Sequence, residues 1–235
     1  AEVTITRMHY DECVAWTAQQ AKKNGWYLIQ DTSWDGYEEI PAWIMQGYTT
    51  IYFEAAQQMK EMGYEKPTHI FLQAGVGSMA GAVAAAAVSE QKGGIPVIVT
   101  VESAEAACFY DSFKYGDGKP KAAHGSEETI MAGLNCSVPC SMAWDILSAY
   151  ASGGFACSDD VTVRGMRLLA HPYGNDHTIV SGESGAVTAG LLDALQSEDQ
   201  YSDIVKKLRL DQDSVVLLIS TEGDTDPENY RRIVS

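Results

Sequence analysis

Apolar residues recur along this chain in two kinds of pattern. Where they fall at three- and four-residue spacing or in alanine-rich runs, they indicate helices. The predicted helices cover residues 10–24, 41–63, 79–91, 161–170 and 186–195. Shorter continuous runs of apolar, β-branched and aromatic residues indicate strands. The predicted strands cover residues 1–5, 26–29, 68–72, 95–101, 155–157 and 215–219.

The order of these elements predicts the fold class. Helices and strands alternate through most of the chain, which is typical of an α/β fold. The run 95–101 is uninterrupted by polar residues until its end, as expected of a parallel strand covered on both faces. The last strand, 215–219, is expected to be buried too. Residues 103–151 are predicted to form helical pieces joined by a loop over 115–125.

A glycine-rich loop joins the strand 68–72 to the helix that begins near Met79. The backbone N–H groups of Gly75, Val76, Gly77 and Ser78 precede or open that helix, where N–H groups have no intrahelical partner. Together with the helix dipole they form a candidate anion site, to which the Ser78 hydroxyl could add a donor. A plain strand-to-helix turn is the alternative, since a single glycine loop has low specificity.

Net charge narrows the possible partners. The formal net charge of −16 argues against a nucleic-acid surface or an anionic membrane surface, because both need clustered Lys and Arg. No apolar run reaches the roughly 20 residues that a membrane-spanning helix needs. Neither nucleic acid nor membrane is therefore expected as a partner.

Five scattered cysteines indicate a reducing, cytoplasmic compartment. A disulfide between Cys108 and either Cys136 or Cys140 remains an alternative. No metal site is predicted, because His171 and His177 form only a loose pair.

The sequence opens on Ala1 and enters directly on an apparent strand, so we expect a chain cut inside a domain.

Two other functions compete for these motifs. Gly75, Gly77 and Gly81 approximate a nicotinamide-binding fingerprint, with Glu102 at the next strand end as the ribose-binding acid, although the spacing is one residue too long. The segment 182–186 resembles the nucleophile elbow of serine hydrolases. It lacks the second glycine and a preceding strand, which excludes that interpretation.

Asp31 is the strongest candidate for a catalytic acid or base. It follows the predicted strand 26–29 and precedes a polar, aromatic loop, the kind of segment on which sites are commonly built. We expect Trp26, Trp34, Tyr37 and Trp43 to surround it, and partial desolvation would then raise its pKa and suit it to proton transfer. An Asx-turn that caps the loop is the alternative.

Five ordered blocks resemble one family from near one end of the chain to the other. They are residues 31–48, 73–81, 129–134, 181–186 and 220–226. Together they closely resemble the diaminopropionate ammonia-lyase family, pyridoxal-phosphate enzymes of the tryptophan-synthase-β type, or fold type II. This resemblance displaces the nicotinamide interpretation.

The resemblance implies a fold and an activity. The fold is an open, mostly parallel twisted sheet with helices on both faces. Residues 1–45 would be the C-terminal tail of a small domain, and residues 46–235 an incomplete large domain that binds the cofactor phosphate. The activity is α,β-elimination of 2,3-diaminopropionate to pyruvate and ammonia, an amino-acid catabolic reaction. A cytoplasmic homodimer acting on a small amino acid is expected.

The resemblance also assigns roles to particular residues. Asp31 matches the acid that acts on the α-proton of the L-isomer. Residues 75–78 match the loop that holds the phosphate of pyridoxal 5′-phosphate. Ser220 matches the serine that hydrogen-bonds the pyridine nitrogen, and Glu183 matches a carboxylate near the ring. A neutral hydroxyl partner would leave that nitrogen unprotonated and favour elimination over transamination.

The lysines depart from the family pattern. None of the ten lysines lies in a motif that matches the Schiff-base lysine, which in the family lies upstream of the matched blocks. We therefore expect a C-terminal portion of the enzyme that is inactive alone but keeps a phosphate site without covalent cofactor. A non-catalytic phosphate-binding α/β module is the alternative.

Overall fold

The computed structural model describes residues 2–90 and 94–235 as helices and strands joined by loops. The described helices are α1 Tyr10–Asn24, α2 Glu39–Glu61, α3 Ser78–Ser89, α4 Cys108–Tyr115, α5 Ser141–Tyr150, α6 Asp159–Ala170, α7 Glu183–Ser197, α8 Ser202–Leu208 and α9 Pro227–Val234. The described strands are β1 His69–Gln73, β2 Val97–Ser103, β3 Ala151–Cys157 and β4 Val216–Leu218. Single 3₁₀ turns cover Ala104–Ala106, Ala132–Leu134 and Asp199–Tyr201.

The four strands form one parallel sheet in the order β3-β2-β1-β4. This confirms the predicted α/β class. The side chains of Ile70 and Leu72 pack on one face with α2, α3 and α5, whereas Phe71 packs on the other face with α7 and α8. Successive side chains of a strand point to opposite faces, so a fully buried β1 needs helices on both sides.

The strand order places a crevice beside β1. The chain passes from β1 to β2 on one side and outward to β3, then returns to place β4 on the other side of β1. In open parallel sheets ligands bind at the carboxyl ends of the strands where the order reverses in this way. That point lies between the ends of β1 and β4.

Three predicted elements differ from the structure. Residues 26–29 and 2–5 form no strand, and the side chains of Trp26, Tyr27 and Ile29 are 64%, 92% and 73% exposed. Their local sequence is compatible with a strand, but no neighbouring strand pairs with them in the described part of the chain. The last strand is half-buried instead of buried, because β4 lies at one edge of the sheet.

Element ends differ by smaller amounts. Helix α2 begins at Glu39, so Pro41 is its third residue and not its first. The predicted end of the third helix, Gln91, lies outside the described residues, as does Ala1. Helix α2 continues unbroken through residue 45, and the domain boundary there stays a prediction. None of the helices in the described ranges combines the length and apolar character that crossing a bilayer requires.

Candidate active site

A cleft of about 680 Å³ opens at the carboxyl end of the sheet. Three segments line it: residues 73–80 from the last residue of β1 onwards, residues 132–134 with Cys136 in the middle of the chain, and residues 219–222 after β4. Asp31 also lines the cleft. The fold therefore brings together three predicted parts of the site, namely the glycine loop, Asp31 and Ser220, which are far apart in sequence.

The glycine loop has the geometry of an anion cradle. Gly77 is the N-cap of α3 with a left-handed φ of 88°, and no side chain of the described residues caps this helix. A Cβ on Gly77 would lie 2.5 Å from Phe109 Cε2, and one on Gly75 would lie 3.1 Å from the Gly133 carbonyl oxygen. Gly77 is therefore restricted to glycine, a side chain at Gly75 would be tightly packed, and the uncapped N–H groups at the start of α3 fit a phosphate.

Ser78 has a different role from the predicted one. Its buried hydroxyl donates to the backbone carbonyl oxygen of Asp31 at 2.7 Å, so it is engaged within the protein. The backbone N–H of Ser78 remains part of the anion cradle. The hydroxyl thus fastens the segment that carries Asp31 to the start of α3.

The aromatic side chains near Asp31 in the structure are tyrosines and not the predicted tryptophans. Trp26 and Trp43 are more than half exposed, and Trp34 stacks on Tyr37 with ring centroids 4.6 Å apart. Burial raises the pKa of Tyr48, and the charge of Asp31 with a hydrogen bond to it adds to the shift. The phenol of Tyr48 therefore faces the half-buried Asp31 carboxylate.

Tyr10 also lines the cleft. Burial is the main cause that raises its pKa, and the negative charges of nearby groups, Asp31 among them, raise it further. Neither tyrosine was singled out from the sequence, because α1 and α2 come close to Asp31 only through the tertiary fold.

Ser220 is exposed at the end of β4 and faces the cleft. Its hydroxyl donates to the hydroxyl of buried Ser181 at 2.8 Å. Gly182, the next residue, donates its N–H to the Glu222 carbonyl oxygen at 3.1 Å. The segment after β4 is thereby fixed against the start of α7.

Glu183 does not line the cleft. It is the first residue of α7, and its carboxylate accepts a hydrogen bond from the side-chain amide of Asn229 in α9. Glu222 lies in the cleft instead, where its carboxylate accepts N–H groups of Ser184 and, at 3.3 Å, Gly185. Sequence position identified the right helix end but not which carboxylate turns towards the cleft.

Glu102 is unsuited to binding a ribose. Its fully buried carboxylate accepts the N–H groups of Phe109 and Tyr110 at 2.7 Å each and so caps α4. Burial raises the pKa of Glu102 to about 8. The acid required by a nicotinamide site is therefore used within the protein core and does not line the cleft.

All five thiols are free in the structure, so Cys108 pairs with neither Cys136 nor Cys140. Cys136 lines the cleft beside the glycine loop. Burial raises its pKa to about 12, which keeps it a neutral thiol at ordinary pH.

Comparison with known proteins identifies the family. A family model described as pyridoxal-phosphate dependent enzyme matches residues 1–221. The chain belongs to this family. Diaminopropionate ammonia-lyase of Escherichia coli (strain K12) is 47% identical over 234 residues, which cover all of this chain and 58% of that protein. The chain thus spans little more than half the length of this relative.

Solved structures agree with the family assignment. The holo diaminopropionate ammonia lyase from Escherichia coli superposes with a TM-score of 0.91 at 46% identity, covering 100% of this chain and 58% of that one. The same enzyme in complex with an aminoacrylate-PLP azomethine reaction intermediate gives 0.88 at 46% identity, covering 97% and 57%. The resemblance inferred from the sequence blocks is confirmed, together with fold type II and pyridoxal phosphate as the family's cofactor.

Proposed function

We propose that this chain carries the phosphate site, the ring partner and one acid of an enzyme that eliminates ammonia from 2,3-diaminopropionate to give pyruvate. The observation that carries the proposal is the meeting of Gly75–Ser78, Asp31 and Ser220 in one cleft. All of this chain aligns with diaminopropionate ammonia-lyase, at 47% identity.

The residues of the cleft fit the cofactor's two ends. The N–H groups from Gly75 to Ser78 would hold the phosphate, since Gly75 and Gly77 leave the space that a Cβ would fill. The Ser220 hydroxyl would face the pyridine nitrogen. A hydroxyl does not deliver a full proton to that nitrogen, which favours elimination over transamination. When bound, the cofactor supplies an electron sink for the α-carbon.

Asp31 would move the α-proton of the L-isomer. Its carboxylate lines the cleft, and its backbone is held to α3 by the Ser78 hydroxyl. This link keeps the acid at a fixed distance from the phosphate site, as positioned proton transfer requires. Glu183 as a ring partner is not carried forward, because Glu222 lies in the cleft in its place.

We further propose that the chain has no lyase activity alone. The described part of the chain contains nine of the ten lysines, and none of these nine lines the cleft. Without a Schiff-base lysine the chain would act only as a phosphate-binding α/β module. The family resemblance supports a cytoplasmic homodimer acting on a small amino acid as the working form of the complete enzyme.

Mixing the purified chain with pyridoxal phosphate and 2,3-diaminopropionate tests this proposal. We expect the chain to bind the cofactor, seen by ³¹P NMR, without forming pyruvate in a lactate-dehydrogenase assay. Pyruvate formation would refute the claim of inactivity, and an unchanged ³¹P signal would refute the phosphate site.

The role of Asp31 is tested in the enzyme that contains the Schiff-base lysine. Asp31→Asn should lower turnover of the L-isomer by roughly 10²- to 10⁴-fold, the usual contribution of a positioned acid or base. Asp35→Asn is the matched control, because Asp35 is exposed in the same loop and does not line the cleft. Equal turnover by the two variants would exclude Asp31 from proton transfer.

A further inference from the structure

We infer that Gln73 is a positioning residue that holds Ser220 in place for its ligand. The inference rests on the proposed function, since Ser220 is the group assigned to the pyridine nitrogen. Gln73 is the last residue of β1, is only 3% exposed and lines the cleft. Only Ala74 separates it from the glycine loop, so one residue would connect the two ends of the proposed cofactor site.

Beyond the last main-chain pair of β1 and β4, the side chain of Gln73 supplies the hydrogen bonds between the two segments. The register of β1 and β4 pairs Phe71 with Leu218 and goes no further. Beyond that point, the side-chain Nε2 of Gln73 donates to the Ile219 carbonyl oxygen at 2.6 Å and to Thr221 Oγ1 at 3.0 Å. These two acceptors flank Ser220 on either side. A side-chain amide therefore replaces the main-chain pairing that would otherwise fix Ser220.

The other end of the amide has no protein partner. Both hydrogens of Nε2 are used, which fixes the orientation of the group, and the buried Oε1 has no hydrogen-bond partner among the described residues. A buried carbonyl oxygen without a donor is costly. With Oε1 buried and unpaired, the orientation of the amide depends on its two Nε2 hydrogen bonds.

The test compares Gln73→Met, Ser220→Ala, the double variant and Thr100→Val. Methionine keeps the volume of glutamine and removes both hydrogen bonds. Thr100→Val is the matched control, because Thr100 is a buried residue of the neighbouring strand whose hydroxyl also lacks a partner, yet it does not line the cleft.

Hydrogen–deuterium exchange on the ligand-free chain reports the tether directly. Gln73→Met should speed exchange in the segment 216–223 and leave α3 unchanged, whereas Thr100→Val should alter neither. Unchanged exchange in that segment would overturn the inference whether or not any cofactor binds.

Cofactor titration reports the consequence for binding. Gln73→Met and Ser220→Ala should each weaken pyridoxal phosphate by about fivefold, and the double variant should be no weaker than Ser220→Ala. Ring absorbance of the bound cofactor should change while its ³¹P shift stays that of the unaltered chain. Additive losses would overturn the inference, whereas no binding by the unaltered chain would overturn the proposed phosphate site.

A second pair of variants avoids the core. Thr221 is exposed, so Thr221→Val removes one of the two acceptors without burying a new group, and Thr221→Ser keeps the hydroxyl. We expect Thr221→Val to speed exchange in segment 216–223 and Thr221→Ser not to. Equal exchange in both would contradict the tether even if Gln73→Met failed to fold.

Discussion

Replacing Gly77 with alanine should destabilise the chain through two separable costs. Gly77 has a φ of 88°, and a Cβ there would lie 2.5 Å from Phe109 Cε2. The left-handed backbone alone costs an alanine about 1–2 kcal/mol. The Phe109 ring is completely buried, and its centroid lies 6.3 Å from that of the buried Trp144 ring, so a new Cβ would push it against other buried side chains. Overpacking of this kind adds about 1–3 kcal/mol, for a total of about 2–5 kcal/mol.

Gly63→Ala isolates the backbone cost. Gly63 has a φ of 91°, close to that of Gly77, but a Cβ on it would meet nothing within 4 Å. Urea unfolding followed by far-UV circular dichroism should therefore give a loss of about 1–2 kcal/mol for Gly63→Ala and a larger loss for Gly77→Ala.

A third variant identifies the clashing group. Phe109→Leu shortens the ring side chain, so its cost should be smaller in the Gly77→Ala background than in the unaltered chain. Equal losses for Gly63→Ala and Gly77→Ala, or strict additivity of Gly77→Ala with Phe109→Leu, would refute the argument that Phe109 closes this position.

Three further predictions concern other parts of the chain. Burial raises the pKa of Glu102 from 4.5 to about 8, so the folded chain keeps a proton that the unfolded chain loses, and stability from this group should fall as pH rises from about 4.5 to about 8. Glu102→Gln should flatten that slope in urea titrations at successive pH values. Cys13 is the one cysteine that is not buried, so Ellman's reagent should modify one thiol in the native chain and five in urea. Ser78→Ala should cost about 1 kcal/mol in urea unfolding and speed hydrogen exchange around Asp31, because it removes the 2.7 Å link to that backbone.

The sequence was sufficient for the parts of the fold that short-range patterns determine. The buried runs at β1 and β2 and the glycine loop between β1 and α3 are present as predicted, because apolar burial and a left-handed glycine both leave local traces. The run 26–29 shows the limit of such traces. A strand needs a partner, and local composition does not say whether one is present.

The sequence did not predict which side chains point into the cleft. Glu183 and Glu222 both belong to blocks that resemble the family, yet only Glu222 turns into the cleft. The choice depends on how the segment after β4 docks on α7, where the Glu222 carboxylate caps the helix. Gln73 had no local motif either, because its partners lie almost 150 residues further along the chain.

The links around β1 imply that the parts of the site respond together. The chain connects β1 to the glycine loop, the Gln73 amide ties the end of β1 to both neighbours of Ser220, and Ser78 ties α3 to Asp31. Each of these side-chain ties is a direct hydrogen bond from a buried residue, Gln73 or Ser78, to its acceptor. A shift of the junction between β1 and α3 would therefore move the proposed phosphate site relative to Asp31 and Ser220 only if one of these bonds breaks. Gly77→Ala, which strains that junction, should consequently speed hydrogen exchange in the segments around Asp31 and Ser220 as well as weaken phosphate binding.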